Sequence, residues 1–206
     1  MRCELPGTRR PGIVLAVALV CGAALPAVAG QGSPRACASP AAADDDVRRE
    51  WARGRPLTWA DFRGPTPGGT AAASGSCVGF DVSWECEDVT LVFDVRAVFD
   101  PTQSWVRAGS TEDALLNHER RHFDLTELFA RRLRKQFTGL MDPCKDPPLA
   151  RRVVDGAVID MYRDWGEAQK QYDADTGGGT EAVRQKAWDR KIEQALDGLR
   201  ELEPER

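Results

Sequence analysis

Leu115-Leu116-Asn117-His118-Glu119-Arg120-Arg121-His122-Phe123-Asp124 carries both of the histidines found in 206 residues. In a helix, four residues advance roughly 400°, so His118 and His122 share one face with their Cβ atoms about 6 Å apart. Two imidazoles so placed can grip one metal ion. Glu119, next to the first of them, can reach a metal-bound water and take its proton, which is how a zinc site makes hydroxide near neutral pH. His118 and His122 are therefore candidate zinc ligands and Glu119 the candidate general base.

The flanks of this stretch predict a helix of about 28 residues. Ser110 or Thr111 can cap it, Glu112 and Asp113 suit its positive end, and Gly139 and Pro143 stop it. Leu115, Leu116, Phe123, Leu125, Phe129 and Leu133, continued by Phe137, give a broad apolar stripe. Arg131, Arg132, Arg134 and Lys135 crowd the last turns, where cations suit the helix dipole.

Upstream, the period changes to two. Val78, Phe80, Val82 and Trp84 alternate with small or polar residues, and Leu91, Phe93, Val95 and Ala97 do the same within Val89 to Phe99. Two or three antiparallel strands are expected between Ala71 and Trp105, with Glu85 to Asp88 as the turn and Asp100-Pro101 ending the sheet. A short helix is expected from Val47 to Trp51, followed by an edge strand or turn anchored by Leu57, Trp59 and Phe62. Downstream, Leu149 to Tyr172 reads as a second long helix with Val154, Val158, Met161, Trp165 and Tyr172 inward. The glycine-rich segment from Tyr172 to Gly179 interrupts it, and Thr180 to Leu202 reads as a third helix with Val183, Trp188, Ile192, Ala195, Leu196 and Leu199 inward. The expected fold class is α+β: a small antiparallel sheet packed with the long motif helix and two further helices, broadly zincin-like.

Residues 1–29 read as an export signal, with Arg2, Arg9 and Arg10 preceding an apolar run and Ala27-Val28-Ala29 as a cleavage site. Residues 30–46 read as a flexible leader and 47–206 as one domain, with no stable membrane insertion after signal cleavage and a secreted, periplasmic or cell-envelope location. Taking Arg2, Arg9, Arg10 and Glu4 from the 28 basic and 32 acidic residues leaves 25 against 31, so no electrostatic case for a nucleic-acid partner exists. Cys37, Cys77, Cys86 and Cys144 predict two disulfides in an exported chain, expected as Cys77 with Cys86 and Cys37 with Cys144.

A four-coordinate catalytic zinc needs a third protein ligand besides water. No third histidine exists, and with oxidised cysteines the ligand must be a carboxylate: Asp155, Asp160, Asp164, Glu167, Asp173 and Asp175 are open. Glu127, five residues beyond His122, points well around the helix and is a poorer choice. Asp124 is either a support for a ligand or helix end, or a solvated carboxylate.

Trp59-Ala60-Asp61-Phe62-Arg63-Gly64, then Ser104-Trp105-Val106, then Leu116-x-His118-Glu119-x-x-His122-Phe123-Asp124, and finally Tyr172-Asp173-x-x-Thr176 with Gln185-x-x-Trp188, occur in that order. Together they resemble the bacterial family labelled predicted secreted zinc-dependent proteases, domain of unknown function 922, over Leu57 to Leu196. In that family the late block reads Tyr-Asp-x-x-Thr-x-His-Gly, and here Gly178 stands in the place of the His. The resemblance implies a zinc-dependent hydrolase acting on a peptide or protein, with Asp173 of the Tyr-Asp pair as the preferred third ligand. Tyr172 is a candidate to polarise a carbonyl or else a core residue, and Trp59, Trp105 and Trp188 are packing anchors. The departure at Gly178 keeps a second expectation open, a non-catalytic envelope or extracellular binding protein with a metal-supported fold. An amidase acting on cell-wall peptides is a third.

Overall fold

A computed structural model describes residues 47–204. The expected export signal, the leader and Cys37 lie outside these residues. Strands β1 (Arg49–Glu50), β2 (Ser74–Gly75), β3 (Val78–Glu87), β4 (Thr90–Phe99) and β5 (Trp105–Val106) are followed by helices α1 (Asp113–Thr138), α2 (Pro147–Thr176) and α3 (Ala182–Asp197). The class is α+β, as the sequence suggests.

The alternating run forms a hairpin in which β3 and β4 pair antiparallel from Val78↔Phe99 to Glu87↔Thr90. The turn is shorter than expected, only Asp88-Val89, and Asp88 takes a left-handed φ of 53°. Aspartate tolerates that region better than most side chains, which allows so tight a reversal. Because side chains alternate, Val78, Phe80, Val82 and Trp84 share a face with Phe99, Ala97, Val95 and Phe93. Val78, Phe80, Val95, Ala97 and Phe99 are buried in the core that α1 closes. Covering a side chain such as Phe80 or Leu133 contributes about 1.5–3 kcal/mol.

The short helix expected at Val47 to Trp51 is replaced by β1, which pairs with β4 through Arg49↔Phe99 and Glu50↔Val98. Five residues cannot repay the cost of helix nucleation, whereas β1 satisfies the free edge of β4. Trp51 continues the ladder by donating its backbone N–H to the Ala97 carbonyl at 3.0 Å. Leu57 and Phe62 anchor a 3-10 turn at Trp59–Asp61, as expected of that stretch. β2 and β5 form a separate two-stranded sheet.

α1 has Glu112 as its N-terminal flanking residue, with no side-chain capping bond, so neither Ser110 nor Thr111 caps it. Arg131 and Arg134 do not decorate its exposed end: they are buried, 0% and 8% exposed, whereas Arg132 and Lys135 face solvent. α2 starts two residues before the expected Leu149, because Asp146 accepts a hydrogen bond from the Leu149 N–H at 3.1 Å and Pro147 opens the helix. It also runs past the expected break at Tyr172 and stops at Gly177, whose left-handed φ of 58° terminates it. α3 is shorter than the expected Thr180 to Leu202, and Val183 is 85% exposed rather than inward.

The disulfide pairing differs from the expected one. Cys86 joins Cys144 with Cα atoms 5.7 Å apart, tying the end of the hairpin to the α1–α2 connection. Cys77 is itself disulfide-bonded, so neither Cys77–Cys86 nor Cys37–Cys144 forms. Cys77 immediately precedes the ten-residue strand β3 and Cys86 lies near its end, a separation of about 30 Å when extended, which no disulfide spans. No helix among the described residues is long and apolar enough to cross a membrane.

Candidate metal centre

α1 and the last turns of α2 bring three side chains together. His118 Nε2 and His122 Nε2 are 3.0 Å apart, and Asp173 Oδ1 lies 3.2 Å from the first and 2.9 Å from the second. All three residues are buried, between 2% and 3% exposed. Among the described residues they form the group of histidine and carboxylate side chains able to hold a metal ion. Asp173 was expected in a loop, but it belongs to α2, whose helical continuation past Tyr172 aims it at the histidines.

The remaining bonds settle which atoms of the imidazoles face inward. Gln169 Nε2 donates to the His122 carbonyl and to Thr126 Oγ1, both at 3.0 Å, so its Oε1 faces His122 Nδ1 at 2.7 Å. Gln185 Nε2 donates to Tyr172 Oη at 2.7 Å and to Asp189 Oδ1 at 2.9 Å, so its Oε1 faces His118 Nδ1 at 3.2 Å. An amide oxygen only accepts, so both Nδ1 atoms carry the proton. In the neutral imidazoles both Nε2 lone pairs then point at a carboxylate oxygen, leaving three acceptors with no donor between them. Asp173 Oδ2 is likewise buried with no hydrogen-bond partner among the described residues. Such a set is stabilised by a positive charge among its members, which a proton on an imidazole Nε2 or a metal ion would supply.

The local charges favour a proton on His122 as that positive charge. Burial opposes charge on His122, but the Asp173 carboxylate, with Glu119 and Gln169, more than reverses this and holds its pKa above the ordinary histidine value. Burial would likewise raise Asp173, and the two histidines overcome it, keeping the carboxyl below its usual range. Two nitrogen donors and one carboxylate match the donor set of a zinc site with an open position.

Glu119 is 4% exposed. Ser74 Oγ donates to its Oε1 at 2.6 Å and Ser76 Oγ to its Oε2, so the β2 segment fixes the carboxylate. Tyr172 stacks on the His118 ring with centroids 4.7 Å apart and donates to the His118 carbonyl at 3.2 Å. It is fully buried, and burial keeps its phenol protonated; its contacts are those of an orienting core residue. Gly179 lies against the same imidazole, where a Cβ would come within 2.9 Å of His118 Cβ. Gly178 faces open space, so no side chain among the described residues occupies that position.

The other acidic candidates do not join the centre. Asp155 pairs with Arg151, Asp160 and Asp164 with Arg163, and Asp175 accepts from Trp188. Glu167 is exposed on α2. Asp124 supports neither histidine; it accepts from Trp51 Nε1 at 2.8 Å and from Arg121. Trp105 is buried, and Trp59 and Trp188 pack at the margin of the core, which fits anchoring roles. Gln169, Ser74 and Ser76 had no place in the sequence reading, and Gln185 had no role in it. Gln169 was within reach: with Tyr172, Asp173 and Thr176 it forms a buried stripe at helical spacing.

Residues 96–179 match the family described as "Bacterial protein of unknown function (DUF922)". That description names no activity. The match is shorter than the resemblance from Leu57 to Leu196, but it contains His118, Glu119, His122 and Asp173, and leaves outside Ser74, Ser76 and Gln185. No curated protein and no solved structure matches the chain.

Proposed function

We propose that the chain is an exported zinc-dependent hydrolase of peptide bonds, its helices and sheet arranged in a zincin-like manner. The observation that carries this reading is the convergence of His118 Nε2, His122 Nε2 and Asp173 Oδ1, with both Nδ1 atoms turned outward to amide oxygens, beside a held carboxylate at Glu119. His118, His122 and Asp173 would hold zinc at these atoms, and the metal would supply a water of lowered pKa and a Lewis acid for the scissile carbonyl. Gln169 and Gln185 hold the two imidazoles in the tautomer that turns Nε2 inward. Each Glu119 oxygen accepts one serine hydroxyl and keeps a lone pair free. Glu119 takes the proton of the attacking water and returns it to the leaving amine. The expected signal at 1–29 and the Cys86–Cys144 disulfide support a secreted or envelope location.

The test is hydrolysis of a mixed peptide pool by zinc-loaded protein, abolished by chelation and restored by zinc. Glu119→Gln is expected to lower the rate by at least about 100-fold while zinc still binds; undiminished hydrolysis in that variant would sink the mechanism. Burial of the three ligands favours a second reading, a non-catalytic protein whose fold the metal supports. Full zinc occupancy without hydrolysis of any peptide would select it.

A further inference from the structure

The opposite face of α1 borders a cavity of about 420 Å³, enclosed with the segment after β1 and with α3. Trp51, Leu57, Phe123 and Leu196 supply an apolar wall, each of them buried. Arg53, Arg55, Arg120 and Arg121 line it as well, with Asp124, Glu193 and Asp197.

The three carboxylates are already engaged. Asp124 accepts from Trp51 and Arg121, Glu193 pairs with Arg121, and Asp197 pairs with Arg53 at 3.2 Å and Arg200 at 2.8 Å. Arg121 and Arg53 are thereby neutralised. Arg120 donates only its Nε, to the Leu57 carbonyl at 2.6 Å, and its two Nη groups have no partner among the described residues. The Arg55 guanidinium has none there either. The cavity therefore presents two guanidinium groups with unspent donors next to an apolar wall.

We propose that this cavity binds a carboxylate carried on an apolar body, the C-terminus of a peptide that ends in an apolar residue. Arginine forks match a carboxylate through paired N–H donors. The apolar wall excludes water from one side of that contact and holds the adjoining side chain, and the volume falls in the range of small-ligand sites. Inorganic phosphate would satisfy the arginines but leave the wall uncovered. The cavity shares no lining residue with His118, His122 and Asp173, so its occupancy is read whether or not the chain hydrolyses peptides.

The experiment is an NMR titration of the zinc-loaded protein with N-acetyl-phenylalanine, followed at the Trp51 indole N–H. Saturable binding is expected. N-acetyl-phenylalaninamide, which lacks the charge, is expected to bind at least about tenfold more weakly, as is inorganic phosphate. Arg120→Gln and Arg55→Gln are each expected to weaken the acid by about tenfold. Arg55 is exposed and its guanidinium holds nothing in the fold, so Arg55→Gln remains informative if Arg120→Gln, which frees the Leu57 carbonyl, fails to fold. Absence of saturation, equal binding of the amide or of phosphate, or unchanged binding in a folded Arg55→Gln protein would overturn the proposal.

Discussion

Two buried polar clusters occupy one helix, and they differ in whether their donors meet acceptors. In the C-terminal half of α1, Glu127 accepts from Arg131 at 2.8 Å and from Arg134 at 3.0 Å. The remaining guanidinium donors reach the Leu196, Leu199, Leu202 and Val95 carbonyls and the Glu203 carboxylate. Arg131 thus clasps the chain after α3 against α1 with its charge matched. In the N-terminal half, His118 and His122 turn Nε2 toward Asp173 Oδ1, acceptor to acceptor when both imidazoles are neutral. Both clusters are equally dry, so burial does not separate them. The surplus of acceptors does: one cluster is complete as a piece of the fold, and the other takes a positive charge at its centre, from a proton or, in the function proposed above, from zinc.

The comparison can be broken most directly at Glu127. Glu127→Ala leaves two buried guanidinium groups without their carboxylate and is expected to cost about 3–5 kcal/mol, measured by urea unfolding and equal with and without zinc. A zinc-dependent loss would mean that the two clusters are one unit. Next, zinc at 100 to 1,000 times its dissociation constant should raise stability by about 3–4 kcal/mol, an effect that chelation removes and Asp173→Ala largely abolishes. No shift of the unfolding midpoint by zinc would place both clusters on the structural side. Gln169→Leu, which frees the His122 tautomer, should weaken zinc binding by about 10- to 100-fold in a competition with a chromophoric chelator; an unchanged constant would remove the tautomer argument.

The smallest effect concerns a donor-matched carboxylate outside α1. Burial alone would raise the pKa of Asp100, but bonds from Thr102 and Gln103 more than reverse this and hold it below the usual carboxylate range. Its contribution is therefore present above the unfolded carboxylate pKa of about 3.9 and lost as pH falls through the lower folded value. Asp100→Asn should cost about 1 kcal/mol at neutral pH, with the gap from the parent protein closing on acidification. A gap independent of pH would assign the loss to packing.

The pairing of His118 with His122 and the hairpin of β3 with β4 were legible because helices and strands repeat over a few residues, and local periodicity is written in the order of the chain. The same reasoning misplaced Arg131 and Arg134, since the dipole suits a cation at an exposed helix end as well as at a buried one, and only Glu127 and the carbonyls at and beyond the end of α3 show why these two turn inward.

By itself the sequence determined the helix that carries His118, Glu119 and His122, the alternating strands beneath it, and the α+β class. Composition and spacing left Asp155, Asp160 and Asp175 open beside Asp173, which only the resemblance preferred, and the tertiary structure brings Asp173 to the histidines. It also decided that Gln169 and Gln185 turn them, that Ser74 and Ser76 hold Glu119, and that Cys86 pairs with Cys144 across 58 residues. These are contacts between elements distant in the chain, where packing selects the partner and no local period records the choice.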